Sequence, residues 1–355
     1  MAHLNVAIVG CGNIADRYAE RIVETPELTL VGATDLDRDR AERLVAANGG
    51  EVYGTLDELL ADERVDAVIN LTIATAHVDV TRAALAAGKH VHTEKPLALR
   101  YDDARELVEL AEARGVRLSA APSTLLGEAQ QTTWKLVRDG AIGRVRVVYA
   151  EANWDRLERW HPDPRGLYAV GPLVDVGVYP LTILTAVFGP VRRVQAYAST
   201  LEPERVHRHG WSFRLEAPDW ATATLELADD VVVRLTASFY VPPSQQRGLE
   251  LHGDDGSLFM ATWAEFDSRV ELQPRGGTYE RVPLVREPYA GIDWSRALVD
   301  LAEAIEDGRP QRSTGEHAAH VVEVLEAARA SADGGGAGVD VRSDFRRPEP
   351  LEWAH

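Results

Sequence analysis

Apolar runs and amphipathic stretches alternate along the chain up to Ala120. LNVAIV, from Leu4 to Val9, has the length and apolarity of a buried strand, and Asn13 to Glu24 has helical spacing. LTLVGATD predicts a second strand and Arg38 to Ala47 a helix. A brief VYG segment precedes the helix TLDELLAD; VDAVINLT reads as a strand and Val78 to Ala87 as a helix. KHVHTE, the helix Tyr101 to Arg114 and a sixth strand, VRLSA, complete the series. Apolar strands separated by amphipathic helices imply a parallel sheet covered on both faces. Right-handed crossovers make it a doubly wound α/β fold of the Rossmann type.

The pattern changes after Pro122. Thr124 to Arg138 reads as a helix and GRVRVVYAEANW as a strand. From Val191 to Leu284 strand-like runs follow one another without regular helices between them, which favours a large open, mostly antiparallel sheet. Two helices are predicted near the end, Trp294 to Glu306 and Gly315 to Ala332, and SADGGGAG reads as a mobile turn before a tail. The expected division is therefore a doubly wound α/β domain at 1–121 and an α+β domain at 122–355. A length of 355 residues agrees with two cores.

Composition narrows the partners. Apolar residues make up 45% and charged residues 26%, a globular balance. A net charge of −18 repels phosphate backbones and argues against nucleic acid. The single cysteine, Cys11, forms no internal disulfide. No signal-peptide pattern is seen at the N-terminus, and the next long apolar stretch, Leu181 to Phe188, is too short for a membrane helix. A cytoplasmic protein without a membrane partner is expected.

Two segments of the first domain carry candidate chemistry. GCGNIA, Gly10 to Ala15, joins the first strand to the first helix. Gly10 supplies the freedom a tight turn needs. Gly12 lacks a side chain and so allows a pyrophosphate to approach, with Asn13 and Ile14 opening the helix. Asp35 ends the second strand, where a carboxylate accepts from both ribose hydroxyls of adenosine and repels a 2′-phosphate, favouring NAD over NADP. The competing role for Asp35 is a helix cap, which Asp37 fills equally well. Glu94-Lys95-Pro96 follows the fifth strand, at the edge where open parallel sheets bind ligands. A lysine there can hold a substrate hydroxyl and stabilise an alkoxide; alone it is ordinary surface.

In the second domain, GPLVDVGVYPLTIL places Asp175 and Tyr179 four residues apart, on one face if the segment is helical. Pro180 either starts that helix or kinks it. Oxidation of a CH–OH group needs a base for the hydroxyl proton. A tyrosine with its ordinary pKa near ~10 is a poor base, improved by a neighbouring ammonium such as that of Lys95. The competing reading makes Tyr179 a core residue.

Together GCGNIA, EKP, DVGVYP and the closing GRPQRSTGEHAAHVVEVLEA resemble the Gfo/Idh/MocA family, the glucose–fructose oxidoreductase and inositol dehydrogenase group. The resemblance implies a Rossmann domain, an α/β domain with an open sheet, a substrate cleft between them, and a homodimer or homotetramer. It implies that Lys95 binds substrate and assists the chemistry, and that Asp175 orients the substrate or Lys95. The family's usual histidine base is here Tyr179, and a frequent acidic residue three positions on is here Thr182. It places Thr72 and His77 in the turn lining the cofactor riboses, with Glu94 beside them; the alternative for that turn is helix capping near Asp79. His161, in RWHPDPRGLY, is a second acid/base candidate, the alternative being a hydrogen-bonded loop histidine. Trp154 and Trp160 either wall a sugar ring or pack under the loop. No metal site is expected; His317 and His320 read as surface or packing.

The function implied is NAD(H)-dependent hydride transfer to or from a secondary alcohol or ketone of a sugar, sugar derivative or cyclitol. The alternatives are a redox-assisted lyase or glycosidase with tightly held NAD, and a non-catalytic NAD-binding regulator.

Overall fold

The computed structural model describes residues 2–242 and 244–355. The chain divides into two compact units. One takes the chain up to Ser123 together with Asp293–Val322; the other takes Thr124–Ile292 and Glu323–His355.

In the first unit, strands β1 (Leu4–Val9), β2 (Leu28–Thr34), β3 (Glu51–Val52), β4 (Ala67–Asn70), β5 (His90–Thr93) and β6 (Leu118–Ala120) form one sheet in the order β3-β2-β1-β4-β5-β6. All five pairings are parallel. Helices α1 (Ala15–Glu24), α2 (Arg38–Asn48), α3 (Leu56–Ala61), α4 (His77–Ala86) and α5 (Tyr101–Arg114) provide the crossovers. Successive side chains of a strand face opposite ways. Val6 and Ile8 of β1 therefore enter one core with Ala15, Ile22 and Leu44, while Ala7 and Val9 enter another with Leu59, Leu85 and Leu107. The strand order reverses between β1 and β4, and both strands end at the glycine turn's side of the sheet.

The segment Asp293–Val322 lies outside the stretch 1–121 expected from the pattern, yet it belongs to this unit. Leu298, Leu301 and Ala302 of the helix Arg296–Asp307 complete the core that holds Val6 and Ile8. Ala319 and Val322 complete the other. Periodicity marks an amphipathic helix but not the sheet it will cover.

The second unit holds a nine-stranded sheet. Helix α6 (Glu128–Arg138) leads to β7 (Val145–Asn153), then helices α7 (Arg165–Val170) and α8 (Val178–Phe188). There follow β8 (Val191–Ser199), β9 (Glu204–Val206), β10 (Ser212–Arg214), β11 (Trp220–Leu227), β12 (Val232–Ser238), β13 (Gly248–Gly253), β14 (Gly256–Met260), β15 (Val270–Pro274), β16 (Glu280–Arg281) and β17 (Val339–Asp340). The order is β16-β15-β14-β13-β7-β12-β11-β8-β17, parallel only between β7 and β12. β9 and β10 make a separate hairpin. Of SADGGGAG, Ser331–Asp333 end the helix Gly315–Asp333 and the rest is a hydrogen-bonded turn: Gly334 and Gly336 donate back to Ala330 and Ser331, and Ser331 Oγ donates to Ala337. The tail then joins the sheet as β17.

Candidate active site

The glycine turn is built for close approach on one side only. Gly10 has φ +92°, and a Cβ there would lie 2.8 Å from the backbone of Leu71 and Thr72. A Cβ on Gly12 would meet nothing within 4 Å. That open side, at the start of α1, suits the backbone approach of an anionic group. Asp35 closes the turn from the end of β2: its Oδ2 accepts from Cys11 N at 2.6 Å and its Oδ1 from Asp37 N at 2.8 Å. The helix-cap position of α2 falls on Asp37, so Asp35 serves the turn. Burial, then the Asp35 charge, pushes the Cys11 thiol up to about 12. Leu36 and Ile73, apolar yet exposed, stand just beyond β2 and β4; a search for polar chemistry passes over them. Turn, open glycine and carboxylate together fit a dinucleotide.

Lys95 lies between two anchored neighbours. Glu94 Oε1 accepts from the hydroxyl of buried Tyr18 at 2.9 Å, and its Oε2 accepts from Lys95 N at 3.1 Å. The Tyr18 hydroxyl also lies 3.4 Å from His92 Nε2, and His92 Nδ1 faces Ser119 Oγ at 2.9 Å. Complete burial pushes the His92 imidazole down to about 4, so it stands neutral. On the other side, buried His77 reaches the Pro96 carbonyl through Nδ1 at 2.7 Å and the Thr72 carbonyl through Nε2 at 3.0 Å. Thr72 is tied in turn to Asn70 Oδ1 by its hydroxyl, 2.7 Å. Glu94, Thr72 and His77 thus form one bonded frame around the Lys95 turn. Tyr18, His92 and Asn70 were not signalled by motif; only the apolar face of α1 marks Tyr18 as inward.

In the second unit Asp175 sits in a π-helical turn, Leu173–Gly177, that runs into α8. π turns widen a helix locally and recur at functional sites. Pro180 is the third residue of α8, within its first turn, a position where proline is tolerated. Asp175 is buried; Tyr179 is half-buried with its ring 4.8 Å from that of Trp263. Trp263 is fixed by donating Nε1 to the Glu151 carbonyl at 3.0 Å. The Thr182 hydroxyl donates to the Val178 carbonyl, 2.9 Å. His161 lies in the loop before α7, where its Nδ1 accepts from Asp163 N at 3.1 Å, leaving Nε2 as the protonated nitrogen of the neutral ring. Partial burial holds its pKa below the ordinary value, against the pull of the Asp163 and Asp175 carboxylates. His207, which its sequence context leaves unmarked, fixes that loop: its Nε2 faces the His161 carbonyl at 2.9 Å. His317 and His320 are buried packing residues. Among the described residues no group of three or more His, Cys, Asp or Glu is placed to hold a metal, and no helix is long and apolar enough to cross a membrane.

Residues 4–121 match the oxidoreductase family with an NAD-binding Rossmann fold, and residues 131–259 match the GFO/IDH/MocA C-terminal domain. The chain is 31% identical over 207 residues to a dTDP-3,4-didehydro-2,6-dideoxy-alpha-D-glucose 3-reductase of Streptomyces antibioticus, covering 57% of this chain and 61% of that one. An enzyme of the same description from Actinomadura kijaniata is 27% identical over 93% of this chain and 96% of its own. Among solved structures, an NAD binding oxidoreductase from Klebsiella pneumoniae superposes with TM-score 0.85 at 22% identity, covering 97% of this chain and all of that one. A 3-ketoreductase from Actinomadura kijaniata, solved with NADP and TDP-benzene, gives TM-score 0.77 at 24% identity, covering 93% and 98%. The two family matches span most of the chain, with the glycine turn, Asp35 and Lys95 in the first and Asp175 and Tyr179 in the second: the protein belongs to the Gfo/Idh/MocA family of oxidoreductases with an NAD-binding Rossmann fold.

Proposed function

We propose that the protein transfers a hydride between NAD and a secondary alcohol or ketone of a sugar, sugar derivative or cyclitol. The observation that carries this reading is the bonded frame that presents Lys95, with Glu94 and Pro96 anchored on either side. The sugar-related names of the relatives support the substrate class.

Gly10, Gly12, Asn13 and Ile14 would hold the cofactor's pyrophosphate, Asp35 its adenosine ribose, and Leu36 and Ile73 its adenine. Thr72, His77 and Glu94 keep the turns around the nicotinamide end in place. When bound, the nicotinamide supplies the hydride acceptor or donor. Lys95 donates a hydrogen bond to the substrate oxygen and stabilises negative charge there as the proton leaves. Asp175 orients the substrate hydroxyls from its π turn. Tyr179, held against Trp263, takes or returns the hydroxyl proton; His161, whose Nε2 already carries the proton of the neutral ring, is the second candidate as a hydrogen-bond donor to the substrate. Asp35 favours NAD over NADP, because a 2′-phosphate would meet a carboxylate already fixed by Cys11 N.

A homodimer or homotetramer is expected through the sheet face that exposes Tyr149, Tyr197 and Val232. The single cysteine agrees with a cytoplasmic setting.

A screen of aldoses, glycosides and cyclitols against NAD and NADP, read as nicotinamide absorbance, tests the reading. Turnover of at least one polyol with NAD preferred is expected. Tight NAD binding with no turnover in either direction would refute it.

A further inference from the structure

Two indoles of the second unit lie where indoles seldom do. Trp154 is 37% exposed and Trp160 is 46% exposed. Their rings meet edge-on, with centroids 5.6 Å apart at 76°. Trp160 meets His161 in the same way, 5.4 Å apart at 79°. The three rings form one run, and the edge-on packing leaves much of both indoles open to solvent.

The loop that carries them is preformed. Trp154 N donates to the Ser238 carbonyl at 2.7 Å, and His161 N to the Leu157 carbonyl at 2.8 Å. Leu157 N donates to the Tyr168 hydroxyl at 3.1 Å, which donates to buried Glu158. Glu158 Oε1 accepts from buried Arg205 at 3.1 Å, and the same guanidinium pairs with buried Asp219. A buried ion cluster contributes little net stability, because desolvation offsets its attraction. What it supplies here is a fixed base under an exposed aromatic loop. Preorganised aromatic surface binds ligands without an ordering cost.

Charge restricts what such a surface accepts. From residue 155 to 165 the loop carries three carboxylates and three arginines. Each arginine faces a carboxylate: Arg156 faces Glu202 at 3.1 Å, Arg159 faces Asp155 at 2.8 Å and Arg165 faces Asp163 at 2.6 Å. The loop holds no surplus cation of the kind a diphosphate requires. The C–H face of a pyranose, in contrast, packs on an indole while its hydroxyls stay in water. The run of rings also ends within electrostatic reach of Asp175 in the same unit.

We propose that Trp154 and Trp160 form a second sugar subsite, so that the substrate is an uncharged glycoside or disaccharide whose non-reacting ring rests on the indoles. This rests on the reading that the reacting ring is a sugar held at Asp175. It excludes the nucleotide-linked sugars named for the relatives.

Calorimetric titration of the full chain with glucose, methyl glucosides, cellobiose, maltose and UDP-glucose tests it, with NADH present. One of the glycosides or disaccharides is expected to bind at least about tenfold tighter than glucose. Trp160→Ala and Trp154→Ala each bring that probe down to the glucose value, and Trp160→Tyr restores most of the margin. NADH titration of each variant checks folding. A margin that survives both alanine changes, a preference for UDP-glucose, or no binding of any glycoside overturns the subsite. The functional reading fails separately: a bound disaccharide that is never oxidised leaves the subsite standing, whereas oxidised glucose with no disaccharide margin removes only the subsite.

Discussion

Lys95 has a flexible four-carbon stem, so where its ammonium points depends on how firmly the peptide beneath it is held. Tyr18 and His77 hold it from either side, through Glu94 and Pro96. Loss of the Tyr18 hydroxyl removes a hydrogen bond to a carboxylate, worth about 1.5–3 kcal/mol where buried and less at half-buried Glu94. Tyr18→Phe is therefore expected to cost about 1 kcal/mol in denaturant unfolding. It should also lower kcat while the affinity for NADH stays near wild type. Equal loss of both would mean that Tyr18 serves the fold and not the turn. Cys11 gives a second residue-level expectation. With its thiol pushed up to about 12, the thiolate fraction at pH 8 is on the order of one in ten thousand. A thiol-specific disulfide reagent should label the folded protein far more slowly than the denatured chain. Comparable rates would contradict the burial and the Asp35 charge given as causes.

At the scale of elements, the glycine turn separates folding from binding. Gly10→Ala forces a Cβ against the Leu71–Thr72 backbone in a left-handed conformation and should cost several kcal/mol, on the order of two strain terms. Gly12→Ala meets open space and should leave the melting temperature nearly unchanged while weakening NADH binding at least about tenfold. Calorimetry and NADH titration of the pair check both; a Gly12→Ala protein with wild-type NADH affinity would remove the pyrophosphate from this turn. These positions were legible because glycine and an acidic residue at strand ends carry their physics locally. The alternating apolar strands were legible for the same reason. The π turn around Asp175 was not, since an i→i+5 pattern leaves no mark distinct from a helix. Nor was the anchoring of His161 by His207: the contact spans 46 residues and joins a loop to a hairpin. Trp263 behind Tyr179 is a contact between distant strand and helix ends, invisible to any local pattern.

Over the whole molecule, acid should act first through buried neutral histidines. His92 is pushed down to about 4 and His317 to about 3, both by burial. Below the unfolded value of about 6.5 the unfolded chain binds protons that the folded one refuses. Stability is thus complete above about pH 6.5 and falls as pH drops toward 4, by up to about 1.4 kcal/mol per unit for each histidine. Urea unfolding at pH 7.5, 6 and 5 should show this slope, and His92→Asn should lessen it; a flat profile would contradict the burial. The most direct measurement of all is the initial rate of NADH formation across a panel of aldoses, glycosides and cyclitols, for wild type and Lys95→Ala. Hydride transfer assisted by Lys95 predicts turnover of at least one polyol and a fall of at least about a hundredfold in the variant, with NADH affinity retained. A Lys95→Ala protein that oxidises the same polyol at the wild-type rate would contradict it.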